Sequence, residues 1–74
     1  MIEKIKAIIG ERLGLSCELI EDTVDIFDVY GADSLDAVEI ILAVENVFGV
    51  EIQDEEAIEL RTVRKIMNYL ESNK

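Results

Sequence analysis

Few side chains in this 74-residue sequence are of types that do chemistry, and most can be set aside one by one. There is no histidine, so neither a Ser-His nor a Cys-His pair can activate a nucleophile. Cys17 is the only cysteine. No helix start or basic residue lies close to it in sequence to favour a thiolate, and it reads as a packed or partly exposed thiol. Zinc lacks its usual ligand set. A calcium loop needs oxygen ligands at positions one, three and five and glycine at six. Counting from Asp22, the third and fifth places hold Val24 and Ile26; counting from Asp28, the third holds Tyr30 and the sixth Asp33. Only weak, diffuse electrostatic binding of divalent cations is left for metals. Neither common glycine-rich phosphate loop is present. What remains is Ser34, which follows Gly31-Ala32-Asp33 and stands where a helix begins. A phosphate joined to its hydroxyl would meet free backbone N–H groups and the positive end of the helix dipole. An ordinary helix cap explains the same serine, and the residues alone leave both readings open.

The elements that must position Ser34 can be read from periodicity. Ile2, Ile5, Ile9 and Leu13 form an apolar stripe that predicts a first helix over about 2–13, stopped by Gly14. Residues 15–33 read as a long connection, because Asp22, Thr23, Asp25 and Asp28 favour local side-chain bonds over a helix. Ile20, Ile26, Phe27 and Tyr30 would pin it to the core. Connections of this length are uncommon unless functional. A second helix starts at Asp33 or Ser34 and ends near Phe48, before Gly49. Ala37, Ile40, Ile41, Val44 and Phe48 share its inner face. Leu35, Glu39, Leu42 and Asn46 face outward, flanked by Asp36 on one side and by Val38 and Glu45 on the other. Apolar centres with charged rims characterise docking surfaces. A short third helix is predicted over about 54–60, capped by Asp54, and a last one over about 62–72, capped by Thr62. Val63, Ile66, Met67 and Leu70 form the inner stripe of that last helix. The expected fold is all-α: a four-helix bundle of three long helices and one short helix, with a long loop between the first two.

The formal charge is −10, from 7 basic and 17 acidic residues. Residues 13–60 hold no Lys or Arg, yet hold 14 of the acids, all but Glu3, Glu11 and Glu71. Such a surface repels nucleic acid and anionic membranes and attracts basic proteins or cations; the one-signed block reads as a docking surface or as a device for solubility, and charge alone leaves both open. A single domain is expected from the length, with no room for a deep enzymatic cleft. The absence of an internal disulfide and of a leader-like apolar start points to a cytoplasmic protein. The longest aliphatic run, residues 40–44, is far shorter than the roughly 20 residues a membrane span needs.

Gly31-Ala32-Asp33-Ser34-Leu35-Asp36 reads GADSLD, and this resembles the phosphopantetheine attachment motif of acyl carrier proteins. The resemblance extends over the whole chain, as one carrier domain over residues 1–74. It includes IIGERLG (8–14), VFGVEI (47–52), DEEA (54–57) and Thr62-Val63. It implies that a separate transferase moves 4'-phosphopantetheine from coenzyme A to Ser34. The thiol of that arm then carries acyl groups as thioesters to successive enzymes, while the protein supplies no catalytic residue. It implies partner-docking residues at Asp33, Leu35, Asp36, Glu39, Leu42 and Glu45, facing basic patches on the transferase and the synthesis enzymes. It implies an acyl pocket lined by Ile26, Val38, Ile52, Ala57 and Leu60, each also a plausible core residue. Members are usually monomeric. The sequence departs from the family pattern at Val29, Tyr30, Asn46, Val47 and Gln53, which makes the outer face slightly less charged than usual. Ala32 between Gly31 and Asp33 resembles the fatty-acid-synthesis type. Polyketide, peptidyl and D-alanyl carriers stand as alternatives within the class. An unmodified acidic interaction module, or an enzyme using Ser34 as nucleophile, are the alternatives outside it.

Overall fold

In the computed structural model, which describes residues 1–72, the first apolar stripe forms helix α1 (Ile2–Leu13). Ile5 and Ile9 are fully buried. Gly14, at φ 72°, closes the helix in the left-handed conformation that glycine adopts without steric penalty. The amides of Gly14 and Leu15 both donate to the Gly10 carbonyl, so the chain doubles back across the last turn. This return needs a bare Cα at Gly10. A Cβ there would stand 2.5 Å from the Leu15 carbonyl oxygen.

The connection that follows is more ordered than the sequence suggests. Cys17 opens a single 3-10 turn (Cys17–Leu19) and is exposed, so a short helix does start at this cysteine. A further helix, α2 (Ile26–Tyr30), was expected to be loop. Asp25 is the reason. Its carboxylate accepts the amides of Phe27 at 2.8 Å and Asp28 at 3.1 Å, and a local bond that was read as competing with a helix instead starts one. Ile20 and Ile26 are buried, as expected of residues that pin the segment to the core. The Tyr30 hydroxyl accepts from the Glu21 amide and donates to the Leu19 carbonyl. Asp22 clasps two long helices at once, meeting Lys6 of α1 at 2.7 Å and Arg64 at 3.1 Å.

Helix α3 (Ser34–Phe48) follows, ending at Gly49 with φ 66°. Helix α4 covers only Asp54–Ala57, and its N-cap is Gln53 rather than Asp54, which lies in the first turn. Beyond Ala57 the chain tightens into i→i+3 bonds, Glu59 to Glu56 and Leu60 to Ala57, and so turns Leu60 into the core. Helix α5 (Val63–Ser72) is capped by Thr62, whose hydroxyl accepts the Lys65 amide at 3.0 Å. The bundle therefore has three long helices and two short ones where four were expected. Helix α1 packs against both α3 and α5. Ile5, Ile9, Ile40, Val44, Val63, Ile66 and Leu70 fill the space between the long helices, with Ile20, Ile26, Ile52 and Leu60 completing the core. Each such side chain contributes roughly 1.5–3 kcal/mol by leaving water.

Gly10→Ala tests the doubled-back turn. Helix propensity alone predicts a gain of about 1 kcal/mol. The contact with the Leu15 carbonyl reverses that sign, so the urea midpoint should fall. A raised midpoint would show that the turn yields without cost.

Candidate functional site

Ser34 is placed by four restraints on its neighbours. Gly31 ends α2 at φ 73°, with its amide directed to the carbonyls of Ile26 and Phe27. Ala32 is buried and anchors the three-residue link. Asp33 is extended and serves as the N-cap of α3, its carboxylate accepting the Asp36 amide at 2.9 Å. Asp36 returns the bond, accepting the Asp33 amide at 3.2 Å. This capping box is braced from α1, because Arg12 Nε donates to Asp36 at 2.9 Å. Bonding to the Asp33 amide, and then to Arg12, holds the Asp36 carboxyl below its ordinary range.

The cap is thus Asp33, and Ser34 is the first residue of the helix. Its side chain is exposed and bonds to no other described residue. The ordinary-cap reading of Ser34 is thereby overturned. A hydroxyl at this place fits a phosphodiester, with the Ser34 and Leu35 amides left over by the box at the positive end of α3.

Beside Ser34 lies an open groove of about 660 Å³ between α3, α2 and the α4 region. Of the expected pocket residues, Val38, Ile52 and Ala57 line it. Ile26 and Leu60 do not: both are in the core, Ile26 because it is the inward anchor of α2 and Leu60 because the tightened turn after α4 points it inward. Sequence reading missed Phe27, Ala37, Ile41, Leu42, Ile58 and Arg61 as lining residues. Leu42 and Ile41 carried a signal, as apolar positions on adjacent faces of α3. Ile58, 73% exposed at the end of α4, carried none.

The six expected docking positions divide. Leu35, Glu39 and Leu42 are exposed, and so is Asp33, although one of its oxygens serves the cap. Asp36 and Glu45 face inward obligations: Asp36 pairs with Arg12, and Glu45 accepts the Ile52 amide at 2.8 Å. Val38 and Val47 add exposed apolar surface to the same helix. The acidic block is also less one-signed in space than in sequence. Lys6, Arg12, Arg61 and Arg64 fold back onto Asp22, Asp25 and Asp36. Among the described residues no cluster of three or more His, Cys, Asp or Glu could hold a metal ion, and no helix is long and apolar enough to cross a membrane.

Ser34 thus presents an uncommitted hydroxyl at a helix mouth, beside a groove with largely apolar walls. Comparison with known proteins gives this arrangement its class. The family model described as a phosphopantetheine attachment site matches residues 3–70. An acyl carrier protein of Syntrophobacter fumaroxidans is 48% identical over 71 residues, covering 96% of this chain and 88% of that protein. One from Thermosynechococcus vestitus is 41% identical over 70 residues, covering 95% and 86%. A solved acyl carrier protein from Enterococcus faecalis superposes with a TM-score of 0.85 at 33% identity, covering 99% of this chain and 92% of that one. The chain belongs to the acyl carrier protein family, whose members are carriers rather than enzymes and whose cofactor is phosphopantetheine.

The brace at the site has a pH signature. A carboxyl whose folded pKa lies below its unfolded value stabilises fully above the unfolded value, near 4, and loses that contribution as pH falls through the folded one. Asp36→Asn should therefore lower the melting temperature at pH 7, and the gap to the unaltered protein should close as pH falls from 4 to 2. A gap that persists at pH 2 would show that charge is not the source.

Proposed function

We propose that Ser34 is the residue that receives 4'-phosphopantetheine, and that the chain, as one carrier domain over residues 1–74, serves fatty acid synthesis. The observation that carries this is the Ser34 hydroxyl itself, held in place by a box built from its neighbours and bound to none of them. Attack of Ser34 Oγ on the pantetheine-bearing phosphorus of coenzyme A forms the phosphodiester, breaks the pyrophosphate bond and releases adenosine 3',5'-bisphosphate. Asp36 has both carboxylate oxygens engaged and Asp33 has one, and the base that takes the hydroxyl proton is assigned to the transferase. The attached arm supplies a thiol that holds acyl groups as thioesters. The residues of this chain position it, present it and shelter what it carries.

An aliphatic cargo suits the groove, whose walls come mainly from Val38, Ile41, Leu42, Ile52, Ala57 and Ile58. This supports a fatty acyl chain sheltered there, and Ala32 in the GADSLD motif supports the fatty-acid type. The exposed face of α3, with Leu35 and Leu42 around Glu39, suits the basic patches of a transferase and of synthesis enzymes. The exposed, free Cys17 suits a reducing compartment such as the cytoplasm, in which the protein acts as a monomer.

Incubating the unmodified protein with coenzyme A, Mg²⁺ and a phosphopantetheinyl transferase should add one phosphopantetheine mass, and Ser34→Ala should abolish the addition. A protein that stays bare would leave the unmodified interaction module as the better reading. At the docking face, Glu39→Lys should slow association with partner enzymes by about two- to tenfold at low ionic strength and flatten the salt dependence. Unchanged rates would place docking elsewhere.

A further inference from the structure

One wall of the groove is held by an arrangement that the carrier role does not explain. Arg61, in the link between α4 and α5, grips Asp25 with two nitrogens, Nε at 2.6 Å and Nη2 at 3.2 Å. Its guanidinium lies 4.4 Å from the centre of the Phe27 ring, and Asp28 stands 3.9 Å away. Arg61 and Phe27 both line the groove. A single side chain therefore joins the start of α2, the ring that α2 contributes to the wall, and the link beyond α4.

The attachment of α2 is graded from inside to outside. Ile26 is buried, and its amide donates to the Arg61 carbonyl at 2.9 Å. That inner anchor is main chain and core. Phe27 is half-buried against the core, and the further hold on its ring is the Arg61 side chain, which is 43% exposed, so solvent can compete for it. Losing that hold leaves α2 anchored and removes one of the two restraints on the Phe27 ring. The two-nitrogen grip, made while the same group lies over the ring, is a property of guanidinium that an ammonium does not reproduce.

We propose that Arg61 is a specificity-determining residue, a latch on Asp25 and Phe27 that sets how long an acyl chain the groove shelters. The proposal rests on the reading of the groove as the acyl shelter. With the latch closed, Phe27 is a fixed wall and limits the chain. With it open, the ring swings aside and the groove accepts more methylenes.

Saturated acyl groups of increasing length, carried on the modified protein, test this through the rate at which hydroxylamine cleaves the thioester. In the unaltered protein protection should rise with length and then level off. In Arg61→Gln and in Asp25→Asn the levelling should move to longer chains. Cleavage there should slow by about fourfold per methylene newly accommodated, the ratio that burying one methylene is worth. Asn replaces Asp equally well as a helix cap, so Asp25→Asn removes the charge partner while keeping α2, and it decides the matter if Arg61→Gln does not fold. Protection in the unaltered protein with the same length profile in the variants overturns the latch alone. No protection at any length in the unaltered protein overturns the shelter reading, and the latch with it.

Discussion

The two aspartates at the mouth of α3 are the constraint on which the site depends. A helix begins with amides that lack intrahelical partners, and a serine there ordinarily turns its hydroxyl back to satisfy one. Such a serine is well placed and chemically occupied. A serine on a loop is free and poorly placed. Here Asp33 and Asp36 exchange bonds with each other's amides, so the helix is capped without the intervening hydroxyl. Ser34 inherits the rigidity of the box and takes no part in it. Arg12 extends that rigidity to α1, which packs across both α3 and α5. The Ser34 oxygen is thus referenced to the bundle through the packing of α3 at Ile40 and Val44, with Arg12 as a further brace at the helix mouth.

The same use of charge recurs along the connection between α1 and α3. Exposed ion pairs add little stability singly, so the pairs are better understood by what they join. Asp22 meets Lys6 and Arg64 and so ties the connection to the first and last helices together. Asp25 meets Arg61 and ties α2 to the link after α4. Lys6 and Arg12 near one end of the sequence, and Arg61 and Arg64 near the other, are drawn to these structural acids. Glu39, in the middle of the outward face of α3, is left with no cation among the described residues. The fold separates acids that hold it together from acids left exposed to solvent.

Much of this was legible in the sequence wherever a rule is local. The limits of α1, α3 and α5 follow from apolar periodicity and from glycines at 14 and 49, and the predicted and observed bounds agree to within a residue. Short elements were not legible in the same way. Five residues of α2 are too few to show a helical period, and Asp25 is as good a loop residue as a cap. Helix α4 ends early because Leu60 is needed in the core, a tertiary demand. Charge pairing was the least legible feature. Arg12 with Asp36 and Arg64 with Asp22 are 24 and 42 residues apart, so a block that is one-signed along the chain is partly neutralised in space. The groove suffered from both difficulties. Its walls depend on how two short helices meet α3, and that is why Ile26 and Leu60 were assigned to it while Phe27 and Ile58 were missed.

That division between long and short elements has a physical consequence for a carrier. The deepest side chains, Ile5, Ile9, Val44, Val63 and Ile66, belong to α1, α3 and α5, and their burial does not involve the groove. Helices of four and five residues have no stability of their own. Few side chains hold them: for α2, buried Ile26 with Phe27 and Tyr30 half-buried beside it, and for α4, half-buried Ala57 with the flanking Ile52 and Leu60. Segments held this way open locally at a fraction of the global free energy. The groove is therefore bounded on one side by a helix that cannot move without unfolding the bundle, and on the other by segments that can. Ser34 sits on the immovable side. A group attached at Ser34 would keep its origin fixed relative to the bundle, and the opposite wall is the side that can give way once its outer contacts are lost.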